Sequence, residues 1–254
     1  MTDVPDQADY WGRAAEGYEQ EFIDPDCPGA RNPLRDAVAA LAAPDRTAAD
    51  LGCGVGPLLP FLAERFGRVF AVDFAEGMLA RARERCRGLA NVEFLRRDLT
   101  DLAPLAGRVD VAVAVNSLVL PDVGDLEAAL RAVRACLRPG GHFLGIVPAM
   151  DAVHYLTMLL LDRARSAGMP ADKARQNAAY HGEHELYDFA FGEFRFKGLR
   201  QHFWRPFEVA YRLRRAGFRR VRRARVRLAW EQFRCGAELA ALPPPWDWFF
   251  HAQP

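Results

Sequence analysis

Between residues 46 and 148, short apolar runs alternate with segments whose apolar residues recur at helical spacing. The first run ends at Asp50. Arg68–Asp73, Val92–Leu95, Val109–Val115 and His142–Val147 follow it, and Leu126–Leu137 is the longest intervening stretch of helical periodicity. Such alternation implies a parallel sheet with helices on both faces. The nearly unbroken apolar run Val109–Val115 reads as a central strand, buried on both sides.

The first strand runs into Asp50-Leu51-Gly52-Cys53-Gly54-Val55-Gly56-Pro57. Glycines at alternate positions permit positive φ and let a ligand approach bare backbone. The helix that follows offers unpaired N–H groups in its first turn, with Pro57 expected at the first helical position. The spacing is G-x-G-x-G, and Pro57 stands where the dinucleotide fingerprint has its third glycine. Asp73 closes the second strand about 20 residues past the turn, the distance at which a carboxylate meets ribose hydroxyls in nucleotide-binding βαβ units. It equally suits the N-cap of the next helix. Phe74 and Met78 share a helical face, and core packing is the plain alternative to a ligand contact for Met78. Asp98 follows the third strand, where a solvated turn carboxylate is the plain alternative.

With Asp50 two positions before the first glycine, the turn resembles motif I of the class I S-adenosylmethionine (SAM)-dependent methyltransferases. The resemblance covers residues 46–148, includes the Leu-Arg-Pro-Gly-Gly-His-Phe-Leu stretch from Leu137, and echoes more loosely over 206–252. It implies a doubly wound, mostly parallel seven-stranded α/β sheet with a seventh strand antiparallel beside the sixth. It also implies roles: Asp50 for the methionyl amine, Gly52, Cys53, Gly54 and Gly56 for close backbone approach, and Asp73 for the ribose. Phe74 and Met78 would flank the adenine, Asp98 would meet its amino group, Leu99 would lie under the ring, and Asn116 would sit at the methyl-transfer edge. SAM is then the methyl donor and S-adenosylhomocysteine (SAH) the product.

The chain divides into an N-terminal helical segment (1–45), the cofactor core (46–148), an insertion (149–205) and the sheet's completion (206–254). In the first segment Trp11, Ala14, Ala15 and Tyr18 share a helical face, to pack on the sheet or close over the cofactor with Tyr18 near the methyl group. In the insertion, a helix from Ala152 to Ala167 stops at Gly168, and another runs from Ala171 to Tyr180. Alternating aromatics over 186–204 read as strand. An insertion after the fifth strand sits at the carboxyl edge of the sheet, so it is expected to form a substrate cap or a homodimer contact. His181 and His184 are candidate bases for a phenol or amine acceptor, with His154 and His202 also open. The i, i+3 spacing of His181 and His184 suggests a metal pair, but Gly182 weakens a helix there and no third ligand is specified, so a solvated or hydrogen-bonded loop is favoured over a metal site.

The formal net charge of +1 demands neither nucleic acid nor an anionic membrane. Five scattered cysteines without C-x-x-C spacing argue against a disulfide framework or zinc and fit a reducing cytosol. No N-terminal targeting signal is seen and the apolar helix around residues 156–161 is too short to span a bilayer, so a cytoplasmic protein is expected. Nine arginines over 212–227, around an expected sixth strand, make an RNA methyltransferase the second reading. Charged residues also protect an edge strand, and Asn116-Ser117-Leu118-Val119 lacks the Asn-Pro-Pro-Tyr pattern of enzymes that act on flipped bases. A non-catalytic binding module is a third reading, and a dinucleotide oxidoreductase, disfavoured by the glycine spacing, a fourth. The leading expectation is methyl transfer to a small, apolar or aromatic molecule.

Overall fold

The computed structural model describes residues 7–17, 24, 25, 27, 29–180, 191–196, 199–233 and 236–254. Helices α1 (Gln7–Ala14) and α2 (Leu34–Ala39) precede β1 (Thr47–Leu51). Then come α3 (Leu59–Ala63), β2 (Arg68–Asp73), α4 (Glu76–Arg85), β3 (Val92–Arg96), β4 (Val109–Val115), α5 (Val123–Cys136) and β5 (Leu137–Pro148). Helices α6 (Met150–Ser166) and α7 (Ala171–Tyr180) lead to a hairpin, β6 (Glu193–Phe196) and β7 (Leu199–His202). Helix α8 (Pro206–Arg215), β8 (Arg222–Arg227), the short α9 (Gly236–Leu239) and β9 (Trp246–Ala252) complete the chain.

The main sheet runs β3-β2-β1-β4-β5-β9-β8. Its first five strands are parallel, and β9 is antiparallel to both β5 and β8. This is the expected seven-stranded, doubly wound sheet. Strand order reverses between β1 and β4, which opens a crevice at their carboxyl ends.

Alternation along β4 explains its unbroken apolar run. Ala112 and Ala114 join Leu126, Leu130 and Val133 of α5 on one face. Val111 and Val113 join Leu34, Leu59, Leu62 and Leu79 on the other. Both faces are therefore covered. The edge strand β8 buries only Val226 and leaves its arginines outward, the charged-edge pattern that discourages further strand pairing.

Two local details depart from expectation. The helix after the glycine turn begins at Leu59, with Pro60 in its first turn, so Pro57 belongs to the turn itself. Gly52, Gly54 and Gly56 all adopt positive φ (75°, 53° and 75°), which carries the turn beyond Gly56 before a helix can start. Secondly, α1 packs on the start of α4 and on the glycine turn rather than on the sheet. Ala15 clusters with Val55, Ala75 and Met78, with Trp11 against them. Gly12 and Gly77 make the close approach possible, since a Cβ on Gly77 would lie 2.6 Å from the Gly12 carbonyl oxygen. In the insertion, the expected strand appears as the hairpin β6–β7, with residues 186–190 outside the described residues; Phe191 lies in the turn before it, exposed.

The insertion is tied to the carboxyl edge. Gly168, at φ 81°, ends α6 as expected, with the Met169 N–H donating to Ala164 O at 3.0 Å. The His202 N–H donates to Val119 O at 2.9 Å and the Trp204 indole to Leu118 O at 2.8 Å. Trp204 also forms a bridge with Ala149, just past β5.

Candidate functional site

Asp50 and Asp73 end neighbouring strands on either side of the glycine turn. Asp50 is 3% exposed and receives no hydrogen bond from any described residue. Burial, and then the nearby Asp73, push its carboxyl up to about 7. A buried carboxyl in this state is matched to a cationic group. Asp73 is also buried, but its oxygens accept the Gly54 N–H and the Ala75 N–H, each at 2.9 Å. Burial raises its pKa, and the N–H groups of Ala75, Gly54 and Phe74 pull against that. Asp73 thus joins the glycine turn to the start of α4, and its remaining lone pairs stay open to a ligand.

The glycines have internal reasons as well as ligand-facing ones. A Cβ on Gly52 would lie 2.3 Å from the Ser117 Cβ, and one on Gly56 would lie 2.8 Å from Leu59 Cδ1 and 3.0 Å from Ala82 Cβ. The Ser117 hydroxyl donates to Leu51 O at 2.6 Å, which fastens the end of β4 against the turn. Cys53 is buried, and burial with Asp50 and Asp73 raises its thiol far above the usual range. It has no thiolate character.

The residues expected around an adenine ring differ in exposure. Phe74 is half-buried just before α4, while Met78 is 2% exposed and packs beneath α1. Leu99 is buried in the core beside Phe70 and Leu102. Asp98 is exposed and accepts the Thr100 N–H at 2.8 Å and the Thr100 hydroxyl at 2.7 Å, so this turn carboxylate is held in place.

At the end of β4, Asn116 has φ 49° and is the only described non-glycine residue with positive φ. Its Nδ2 donates to Asp247 Oδ2 at 3.3 Å, and its buried Oδ1 has no partner among the described residues. Asp247 is a buried carboxyl near the start of β9, facing the Asn116 side of the crevice. Burial pushes it up to about 7 against the pull of Asn116 and of the Ala149 N–H. Sequence reasoning missed Asp247. The signal was present: it is an acid inside Trp246-Asp247-Trp248-Phe249-Phe250, where every neighbour is aromatic. Asp151, in the first turn of α6, was missed too; it accepts the Trp246 and Trp248 indole N–H groups at 3.2 and 2.9 Å.

Among the histidines, His202 is fully buried and bonded to Glu208 Oε1 at 3.0 Å; Arg212 donates to the same oxygen at 2.6 Å. Burial alone would raise the Glu208 carboxyl, but His202 and Arg212 together take it below its ordinary value. His202 therefore anchors the hairpin to α8. His154 lies on the exposed side of α6 and is held below its ordinary pKa by burial and Arg205, against Asp151. Tyr18, His181 and His184 lie outside the described residues. Among the described residues no group of three metal-ligating side chains occurs, and no helix is long and apolar enough to cross a membrane.

Several arginines of 212–227 have partners within the chain. Arg212 and Arg215 reach Glu127, Arg223 donates to Pro206 O, and Arg225 lies 4.0 Å above the Trp246 ring.

Residues 48–141 match the family model described as a methyltransferase domain. The uncharacterized 37.1 kDa protein of transposon TN4556 from Streptomyces fradiae is 32% identical over 158 residues, 59% of this chain and 41% of that protein. The 2-phytyl-1,4-naphtoquinone methyltransferase of Thermosynechococcus vestitus is 38% identical over 98 residues, 37% of this chain and 43% of that one. The chain thus spans under half the length of these curated relatives. Among solved structures, the DhpI–SAH complex is similar with a TM-score of 0.56 at 19% identity, covering 99% of this chain and 96% of that one.

Proposed function

We propose that this chain, whose residues 48–141 belong to the methyltransferase domain family and whose fold is that of the class I SAM-dependent enzymes, transfers a methyl group from SAM to a small-molecule acceptor. The observation that carries the reading is Asp50: a buried carboxyl with no hydrogen-bond partner among the described residues, beside a left-handed glycine turn, where strand order reverses. The residues fit the donor. Asp50 would hold its ammonium group, Gly52 to Gly56 would line its amino-acid end, Asp73 would meet the ribose hydroxyls, and Phe74, Met78, Asp98 and Leu99 would frame the adenine.

When bound, SAM supplies a methyl group already activated by the adjoining sulfonium. The chain's own tasks are then to align the acceptor with that group and to exclude water. Asn116, in its constrained conformation, marks the edge where the acceptor enters, and the insertion tied to Val119 and Leu118 covers it. A small acceptor is supported by the named activity of the naphthoquinone relative and by the internal partners of the arginine face, which leave that face less suited to phosphate.

Isothermal titration with SAM and SAH tests the reading. Asp73→Ala is expected to weaken both by about tenfold or more, since it removes the ribose acceptor and loosens the turn. Absence of binding to the unsubstituted protein, or binding indifferent to Asp73, would overturn it.

A further inference from the structure

We propose that Asn116 and Asp247 form the acceptor's recognition dyad, which takes a neutral hydroxyl or amine rather than a carboxylate, with Asp247 as its proton acceptor. This rests on the methyl-transfer reading above.

Three independent features meet at this point. Asn116 is held at φ 49°, a left-handed conformation uncommon outside glycine, which turns its side chain out of the strand's alternation. Its Oδ1 is buried without a donor among the described residues, and buried acceptors are ordinarily satisfied, so the site calls for a ligand that donates. Asp247 is only 6% exposed, yet it stands in an aromatic strand with an amide for a neighbour instead of a cation. Facing it are Asn116 from β4 and the Ala149 N–H after β5; among the described residues no charged side chain adds a further influence.

The chemistry follows from the placement. A donor group X–H fits between the Asn116 carbonyl oxygen and the Asp247 carboxylate. As the lone pair on X forms the bond to the methyl carbon, the carbon–sulfur electron pair stays on sulfur, and the X–H proton passes to Asp247. The sulfonium charge and the carboxylate charge disappear together, so no net charge is left buried. An anionic acceptor has no proton to give and would meet Asp247 carboxylate at close range in a poorly solvated site, which disfavours it. Burial, which pushes Asp247 up to about 7, places it where a base works best near neutral pH.

The test uses the full chain saturated with SAH at pH 8, with p-cresol and aniline as neutral X–H probes and benzoate as the anionic counterpart, read by ligand-observed NMR. At least one neutral probe is expected to bind and benzoate not to. Asp247→Asn and Asn116→Gly should each weaken the neutral probe about tenfold or more, and Asp247→Asn should admit benzoate. Failure of both neutral probes, indifference to either substitution, or benzoate binding to the unsubstituted chain as tightly as the neutral probes would overturn the proposal. SAH titration is read separately. If the unsubstituted chain does not bind SAH, the donor reading itself has failed. If only a folded Asp247→Asn loses SAH, the carboxyl belongs to the donor and the dyad is refuted. Should a substituted chain fail to fold, the carboxyl 13C signal of Asp247 in the unsubstituted chain decides. A midpoint between about pH 6 and 8 that p-cresol or aniline displaces supports the dyad, and a signal blind to both probes refutes it.

Discussion

The sides of the crevice proposed for the methyl donor and for the acceptor are built differently. Beside the glycine turn, the Asp73 carboxylate is held by groups close in sequence. Asp73 reaches back 19 residues to Gly54 and forward two to Ala75. The acceptor edge is assembled from afar: Asn116 meets Asp247 across 131 residues, and Trp246 meets Asp151 across 95.

The largest effect expected on either side is at Gly52. Gly52→Ala places a Cβ 2.3 Å from Ser117 Cβ at φ 75°, so both sterics and backbone oppose it. A stability loss of about 3 kcal/mol or more in chemical denaturation, with SAH binding lost, is expected. If Ser117→Gly does not partly restore it, the packing explanation falls.

Next is the pH response of the donor side. Asp50 is raised to about 7 in the folded chain, from an ordinary value near 3.8. The folded state therefore holds a proton that the unfolded state has released between these values. Its stabilising contribution is complete below about pH 4 and is lost as pH rises through about 7. Asp50→Asn should flatten that segment of the stability–pH curve by roughly 2–4 kcal/mol. A ligand ammonium has the opposite effect on Asp50, so SAH binding should release protons near pH 6 and tighten toward pH 8. Calorimetry in buffers of different ionisation enthalpy reads this directly, and no proton release would contradict it.

On the acceptor side, Glu208→Gln leaves His202 and Arg212 without their shared carboxylate. A loss of about 2–4 kcal/mol in denaturation is expected with little change in SAH affinity. Equal damage to SAH affinity would erase the distinction between the two sides. The smallest effect is at the edge: Arg225→Ala should cost about 1 kcal/mol or less. A steep salt-dependent RNA affinity that this substitution lowers would instead revive the nucleic-acid reading.

Much of the donor side was legible in order and spacing. The strand–helix alternation, Asp50, the three glycines and Asp73 are local features, and local backbone chemistry places them. Even there, the purpose of Gly52 and Gly56 was only half visible, because the atoms that exclude a side chain belong to Ser117 and Ala82, remote in sequence. The start of α3 was misplaced for the same kind of reason: three successive left-handed glycines leave no helical turn for Pro57 to open. His202 read as a free candidate base, yet its burial against Glu208 depends on how the hairpin meets α8.

By itself the sequence determined the parallel sheet and the spacing of the glycine turn, while the reversed final strand came from the family resemblance. Hydrophobic periodicity, glycine spacing and acidic strand ends are short-range properties that survive without coordinates. Only the tertiary structure decided that Asp50 is buried without a donor among the described residues, that α1 rests on α4 through Gly12 and Gly77, and that Asn116 meets Asp247. Each of these depends on which distant surfaces exclude water together, and burial, more than residue type, sets the charge state and partners of a carboxyl group.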